Sequence, residues 1–281
     1  MQLTVVGCSG SISGPGSPAS CYLLQAPYEG RSFSLVLDLG PGAFGALHRY
    51  LDPRTVDAYG FSHLHPDHCL DLCAAYVAAR YSPTAPWPRQ PVYAPVGAGE
   101  RLARAYDVPA AGAGPDEPGP GIAAHFDYRV WAASQQIGPF AVSTVRVAHP
   151  VEAYAVRVQE PAPGGGSLVF SGDTGPSAAL VELARGADLL LVESAFLAGP
   201  DLPAGVHLTG AQAAEAGARA GVGTVLLTHI PPWHDPEQVL AEATPHFPGP
   251  VALATTGARW SVGPRGGDAG DTTARVVRVG G

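Results

Sequence analysis

Three imidazoles and a carboxylate stand within six residues at His63-Leu64-His65-Pro66-Asp67-His68. Imidazole nitrogen and carboxylate oxygen are the donors that hold zinc, manganese or iron in water, so this density of both points to a metal site. Pro66 lacks a backbone N–H and restricts the residue before it, so His63 and His65 come from a loop and a helix begins at about Asp67. That helix start turns Asp67 and His68 back toward the space the first two histidines face. A polar surface turn that happens to be rich in His is the bland alternative, and metal binding is favoured over it.

Three later residues look like further ligands. His149 follows the strand pattern of residues 140–148. Asp173 lies in the turn Ser171-Gly172-Asp173-Thr174-Gly175 after the apolar run 168–170, and His229 ends the run 225–228. Each stands where a strand finishes, as His63 does, so all can converge on one edge of a sheet, where α/β folds place their ligands.

The elements that must position them alternate between strand and helix. Residues 2–6 read as a first strand entering a small-residue loop at 7–18, followed by strands at 21–24 and 34–39. Residues 38–42 end a strand and open a helix to about 51; residues 56–62 form the strand that delivers the histidine cluster. A helix is expected over 67–80, a proline-rich loop over 83–91, a strand at 90–94 and a helix at 97–106. Residues 110–121, built from Ala, Gly and Pro with two acids, are the weakest stretch for order. Strands follow at 128–132, 140–148, 153–159 and 168–171, then a helix at 177–185 and a buried strand at 189–193. Thr209 caps a helix to about 220, 224–228 is a strand, and Asp235 with Pro236 starts a helix to about 243. Two packed sheets with helices outside are the expected α/β architecture. No repeat is visible; one domain over 1–262 and a Gly-rich tail over 263–281, with a late strand at 274–279, are expected.

Composition narrows the function classes. Of 281 residues 46% are hydrophobic and 14% charged, which suits a well-buried globular fold. Gly 36 and Pro 29 are high but show no period, so collagen-like sequence is excluded. No run approaches eighteen apolar residues and no basic stretch precedes an apolar core at the start, so neither a membrane span nor a signal peptide is expected. The four cysteines lack metal spacing and are few for a secreted scaffold, which favours a reducing cytoplasm; Cys69 and Cys73 read as packing residues. A net charge of −8 with 16 Lys+Arg and no basic cluster argues against a long nucleic acid as partner, and a compact anion fits better.

Taken in order, His63-x-His65-x-Asp67-His68, His149, Asp173 and His229 resemble the metallo-β-lactamase superfamily of dinuclear metallohydrolases, over about residues 2–262. The resemblance implies a four-layer αββα sandwich, the metallo-β-lactamase fold, and two divalent metal ions, zinc first, with manganese or iron also suited to these donors. By position, His63, His65 and His149 would hold one ion, Asp67, His68 and His229 the other, and Asp173 would bridge. Asp67 would also serve catalysis. Asp38, in an Asp-x-Gly-x-Gly context, matches the upstream aspartate that supports the metal loop without binding metal.

The stretch Val206-His207-Leu208-Thr209 is similar to the His-x-Thr motif of the ribonuclease Z-like branch, which implies His207 as a catalytic residue near the scissile phosphate. That branch's basic tRNA-gripping arm has no counterpart: the loop 159–167 is short and acidic, and 110–121 contains no Lys or Arg. The stretches Val6-Gly7-Cys8-Ser9-Gly10-Ser11, Ser17-Pro18-Ala19-Ser20, Ala148-His149-Pro150 and Thr228-His229-Ile230-Pro231-Pro232-Trp233 resemble actinobacterial cyclic-AMP phosphodiesterases of the atypical class II kind. So does Leu180-Val181-Glu182-Leu183-Ala184-Arg185-Gly186.

The expectation is therefore a cytoplasmic phosphodiesterase that opens a 3′,5′-cyclic nucleotide, cyclic AMP first, to the 5′-monophosphate. Its substrate is a small phosphodiester, it works without a membrane, and the resemblance implies a homodimer. A tRNA 3′-processing nuclease or another hydrolase of the fold is the enzyme alternative; a metal- or nucleotide-binding module is the non-catalytic one. Trp233 either stacks on a base or covers the core, and His234 reads as a loop residue. His48, His125 and His246 read as structural or surface residues, and the Ser/Gly loop after the first strand reads as a wall of the site.

Overall fold

The computed structural model describes residues 1–107, 121–263 and 276–279. Its strands, in chain order, are β1 (Gln2–Gly7), β2 (Cys21–Tyr28), β3 (Arg31–Leu37), β4 (Ala58–Gly60), β5 (Pro91–Ala94), β6 (Asp127–Val130), β7 (Ser134–Ile137) and β8 (Phe140–Arg146). There follow β9 (Tyr154–Gln159), β10 (Ser167–Phe170), β11 (Leu189–Glu193), β12 (Thr224–Thr228), β13 (Val251–Leu253), β14 (Arg259–Val262) and β15 (Val276–Val279). The helices are α1 (Ala43–Leu47), α2 (Pro66–Cys69), α3 (Leu72–Tyr81), α4 (Ala98–Tyr106), α5 (Ile122–His125), α6 (Ala178–Ala184), α7 (Gly210–Ala220) and α8 (Pro236–Ala243).

Two mixed sheets form, in the orders β15-β14-β1-β2-β3-β4-β5-β6 and β13-β12-β11-β10-β9-β8-β7. The period of two along each strand sorts its side chains between layers. Leu189 and Leu191 face the core between the sheets, where they meet Leu24, Leu35, Leu37 and Phe170; Leu190 and Val192 turn outward onto α6 and α7. In the other sheet Leu24 and Leu35 point inward, while Leu23 and Val36 pack with Phe44, Leu47 and Leu72 from α1 and α3. Helix, sheet, sheet and helix give the four-layer αββα sandwich of the metallo-β-lactamase fold.

Strand direction places the site. β10, β11 and β12 run parallel, so their C-terminal ends share one edge, from which Asp173, Glu193 and His229 emerge. β3, β4 and β5 are also parallel, and Asp38 and His63 leave the ends of β3 and β4.

Several elements differ from the sequence expectation. The helix expected over 67–80 divides into α2 and α3 because the chain between them is tied to the loop after β3. The Asp71 N–H donates to Leu39 O at 3.0 Å, the Asp71 carboxylate accepts the Phe44 N–H at 2.8 Å, and the Leu39 N–H donates to His68 O at 2.7 Å. β7 has no apolar alternation in Ser-Gln-Gln-Ile; it forms by antiparallel pairing with β8 across a turn that puts Gly138 at φ 54°. β15 pairs with β14 where the late strand was expected. Most of the stretch 110–121 and of the Gly-rich tail lies outside the described residues. Among the described residues no helix is long and apolar enough to cross a membrane.

Candidate metal centre

The loop after β4 delivers the cluster as its proline dictates. His65 is the extended residue ahead of α2, Pro66 opens that helix, and Asp67 and His68 lie in its single turn. Gly40 permits the close approach of the neighbouring loop: a Cβ there would sit 1.9 Å from Asp67 O. Asp38 and His229 both hold left-handed backbones, each at φ 56°. That conformation costs a non-glycine residue about 1–2 kcal/mol, so the surrounding hydrogen bonds must enforce it.

All seven expected ligand residues converge. The Nε2 of His63 lies 3.0 Å from His65 Nδ1, which is 3.2 Å from His149 Nε2. Beside them His68 Nε2 lies 3.1 Å from His229 Nε2, and Asp67 Oδ2 is 3.3 Å from the first and 3.1 Å from the second. Asp173 touches both groups. Its Oδ2 is 3.6 Å from His63 Nε2, while its Oδ1 is 3.2 Å from His68 Nε2 and 3.4 Å from His229 Nε2. Three groups of donors result: His63-His65-His149-Asp173 and Asp67-His68-Asp173-His229, two sets that share one carboxylate, and a smaller group of Glu193, His207 and His229.

A profile of the beta-lactamase superfamily domain matches residues 34–230. The chain belongs to the metallo-β-lactamase superfamily. It is 44% identical over 264 residues to the uncharacterized protein ML1173 of Mycobacterium leprae, covering 93% of this chain and 89% of that one. It is 26% identical over 265 residues to the probable metallo-hydrolase YhfI of Bacillus subtilis, covering 92% and 99%, and the YhfI crystal structure superposes with a TM-score of 0.77. A ribonuclease Z of Myxococcus xanthus is 29% identical over 265 residues, covering 79% of this chain and 86% of that one. Superfamily membership makes the chain a metal-dependent hydrolase.

Tautomers show that the superfamily's divalent ions fit this pocket. Ser62 Oγ donates to Asp38 Oδ2 at 2.8 Å, so it accepts from His63 Nδ1 at 3.1 Å and the His63 Nε2 lone pair faces the site. His68 Nδ1 donates to Asp38 Oδ2 at 2.6 Å and His149 Nδ1 to Val206 O at 2.9 Å, which turns both Nε2 lone pairs inward too. Lone pairs aimed at one another need a cation between them. Asp173 Oδ1 is buried without a hydrogen bond, as a ligand oxygen awaiting a cation would be.

Charge agrees. Burial, with the His68 charge adding, pushes His63 well below the ordinary imidazole value, and burial lowers His65 and His149 as well. Against the upward push of burial, the His229 and His68 imidazoles beside it hold the Asp67 carboxyl well below the carboxylate range. Against burial again, Asp173 and Asp38 raise His68 well above the imidazole range, so this part of the pocket attracts positive charge. Neutral His63, His65 and His149 and ionised Asp67 and Asp173 are in ligand form, whereas His68, drawn toward its protonated form by the two carboxylates, would give up its Nε2 proton to a bound cation.

His207 sits at the rim of both sets, with its ring centroid 5.7 Å from that of His149 and 5.6 Å from that of His229. Its Nδ1 lies 2.9 Å from Glu193 Oε1, a residue that sequence reasoning placed only as the end of a strand. Glu193 also accepts backbone N–H groups from Thr174 at 2.8 Å, Ala195 at 3.1 Å and Leu208 at 3.2 Å. With four donors already bound, its carboxylate is an anchor for His207 rather than an open metal ligand. The available signal was a carboxylate ending the apolar run Leu-Leu-Leu-Val-Glu at the edge that carries the ligands. Burial lowers the His207 pKa, but the Glu193 bond and charge outweigh it, with Asp173 and Asp67 adding, and the net shift is upward.

The remaining expected features divide. The Ser11 N–H reaches His229 Nε2 at 3.3 Å, so the Ser/Gly loop does wall the site. Trp233 is 61% exposed, which removes core covering as its role. His246 pairs with Glu215 on the surface at 3.0 Å, and His125 packs edge-on against Tyr76 and Phe126. Cys69 is buried and Cys73 half-buried, both as free thiols.

Proposed function

We propose that this chain hydrolyses a 3′,5′-cyclic nucleotide, cyclic AMP first, to the 5′-monophosphate with two divalent ions bound. His63, His65 and His149 would hold one ion, Asp67, His68 and His229 the other, and Asp173 both. When bound, such ions supply Lewis acidity and lower the pKa of water toward neutrality.

The observation that carries the reading is His207, kept basic by the buried Glu193 at the edge of both donor sets. A protonated imidazole there faces an anionic phosphoryl group and can donate a proton to an alkoxide leaving group. Glu193 takes Nδ1, so Nε2 is the nitrogen turned to substrate. In the reaction water gives one proton to solvent as its oxygen forms a bond to phosphorus, the P–O3′ bond breaks, His207 delivers its proton to O3′, and solvent returns a proton to His207. His68 and His63, fixed through Asp38 and Ser62, keep the donors in place throughout.

A small substrate is supported by the hairpin between β9 and β10. It spans only a few residues, is acidic at Glu160, and ties that acid to the Met1 ammonium at 2.7 Å instead of extending a basic arm. Purified protein supplied with zinc, manganese or iron is assayed side by side on cyclic AMP, cyclic GMP, bis-p-nitrophenyl phosphate and a precursor tRNA. Release of 5′-AMP from cyclic AMP with intact tRNA is expected. Cleaved tRNA with untouched cyclic AMP overturns the reading in favour of 3′-processing.

A further inference from the structure

Large exposed apolar side chains among the described residues fall into two groups. Val77, Tyr81, Val96 and Val130 lie on α3 and around the ends of β5 and β6. Ile12, Val151, Leu202 and Trp233 stand on loops of the metal-facing edge. Val151 is two residues past His149, Leu202 five before His207, and Trp233 four past His229. Ile12 follows Ser11, whose N–H reaches His229 Nε2.

The loops of Ile12 and Trp233 form one wall. The Gly10 N–H donates to Ile230 O at 3.1 Å, and Ser9 pairs with Ile230 as an isolated parallel bridge. A Cβ on Gly14 would lie 3.2 Å from Pro232 Cβ, and one on Gly10 would lie 2.2 Å from His229 O. The turn that presents Trp233 is stiff. Pro231 and Pro232 fix two φ angles ahead of it, and the His234 N–H closes back onto Pro231 O at 3.0 Å.

Trp87, Trp131 and Trp260 are 8%, 6% and 7% exposed against 61% for Trp233. A preordered indole with its ring in water, on a wall that touches a ligand histidine, is a surface for a flat partner at low entropic cost.

We propose that Trp233, on the wall its loop forms with the loop of Ile12, is the specificity-determining surface on which the purine base of the substrate stacks while its phosphodiester lies at the donor sets. This rests on the cyclic-nucleotide reading and adds how the base is recognised. Stacking reads the π-face rather than the hydrogen-bonding edge, so adenine and guanine are both accepted and pyrimidines bind more weakly.

The test titrates metal-loaded protein with 5′-AMP and follows tryptophan emission, then measures KM. Saturable quenching is expected for the wild type and none for Trp233→Phe, whose smaller ring recovers most of the affinity. In Trp233→Ala the KM for cyclic AMP rises about ten-fold with kcat little changed, the scale of one base–aromatic stack. The KM ratio between cyclic AMP and base-free ribose 3′,5′-cyclic phosphate narrows by the same factor. Competitive inhibition by 5′-AMP without quenching, or a KM that does not move in Trp233→Ala, overturns the proposal while leaving the function standing. An unmoved KM accompanied by a changed oligomeric state on size exclusion also overturns it, by making Trp233 a subunit contact. If wild-type protein releases no 5′-AMP from cyclic AMP and 5′-AMP does not quench, the function itself has failed, and this inference with it.

Discussion

The two donor sets are built from the same residue types but sit in different surroundings. Asp67, His68, Asp173 and His229 are all buried, whereas in the other set only His63 and Asp173 are, and His65 and His149 stand half-open to solvent. In the buried set Asp38 grips His68, Ser11 covers His229, and His229 itself holds a left-handed backbone, while in the other Ser62 holds His63. His149 is steadied by one backbone carbonyl, that of Val206. The contrast suggests a division of labour. A closed, preorganised set retains its ion, and a set with open sides lets ligand exchange and substrate approach occur.

Removing what the two sets share should have the largest effect. Asp173→Asn is expected to lower the metal content of both sets and cut kcat/KM about a thousand-fold, the scale of several kcal/mol of lost charge stabilisation. Elemental analysis of the variant that still shows two ions per chain would show Asp173 to be no shared ligand.

Chelation separates the sets. Titration with a chelator should remove ions in two phases about ten-fold apart in chelator concentration, the scale of an outer-shell contribution to metal affinity, with activity lost in the first. One phase, followed by metal analysis of the desalted protein, would erase the contrast.

The smallest change probes the group at the rim of both sets. Glu193 raises the His207 pKa, so the protonated donor persists below that raised value and is lost as pH rises through it. Glu193→Gln removes the charge and leaves one oxygen, instead of two, to accept the N–H groups around it, so the alkaline limb of kcat should move about one pH unit lower. Metal content is expected to stay the same. A limb that stays in place, measured on cyclic AMP across the alkaline range, would mean that His207 is not the proton donor.

Much of this centre was legible in the chain. Donor type is a property of single residues, and His63, His149, Asp173 and His229 each follow an apolar run, so both the candidate donor list and the shared edge could be read from the chain. The alternation of Leu189 to Val192 likewise encodes which layer each face meets. Boundaries were less legible where a distant contact decided them. Asp71 breaks the helix after His68 because Leu39 and Phe44 reach it, and polar β7 is a strand because β8 lies alongside.

The sequence by itself determined the chemistry on offer: seven candidate metal donors, a histidine beside them, and strands whose faces sort into four layers. Only the tertiary structure decided how those donors are divided. Asp173 gives one oxygen to each set, Glu193 is spent on His207 and three backbone N–H groups, and Trp233 is left in water. The reason is physical. Donor type and strand period are local, whereas a distance of 3 Å between residues far apart in the chain, such as His68 and His229, is set by how two sheets and their loops pack.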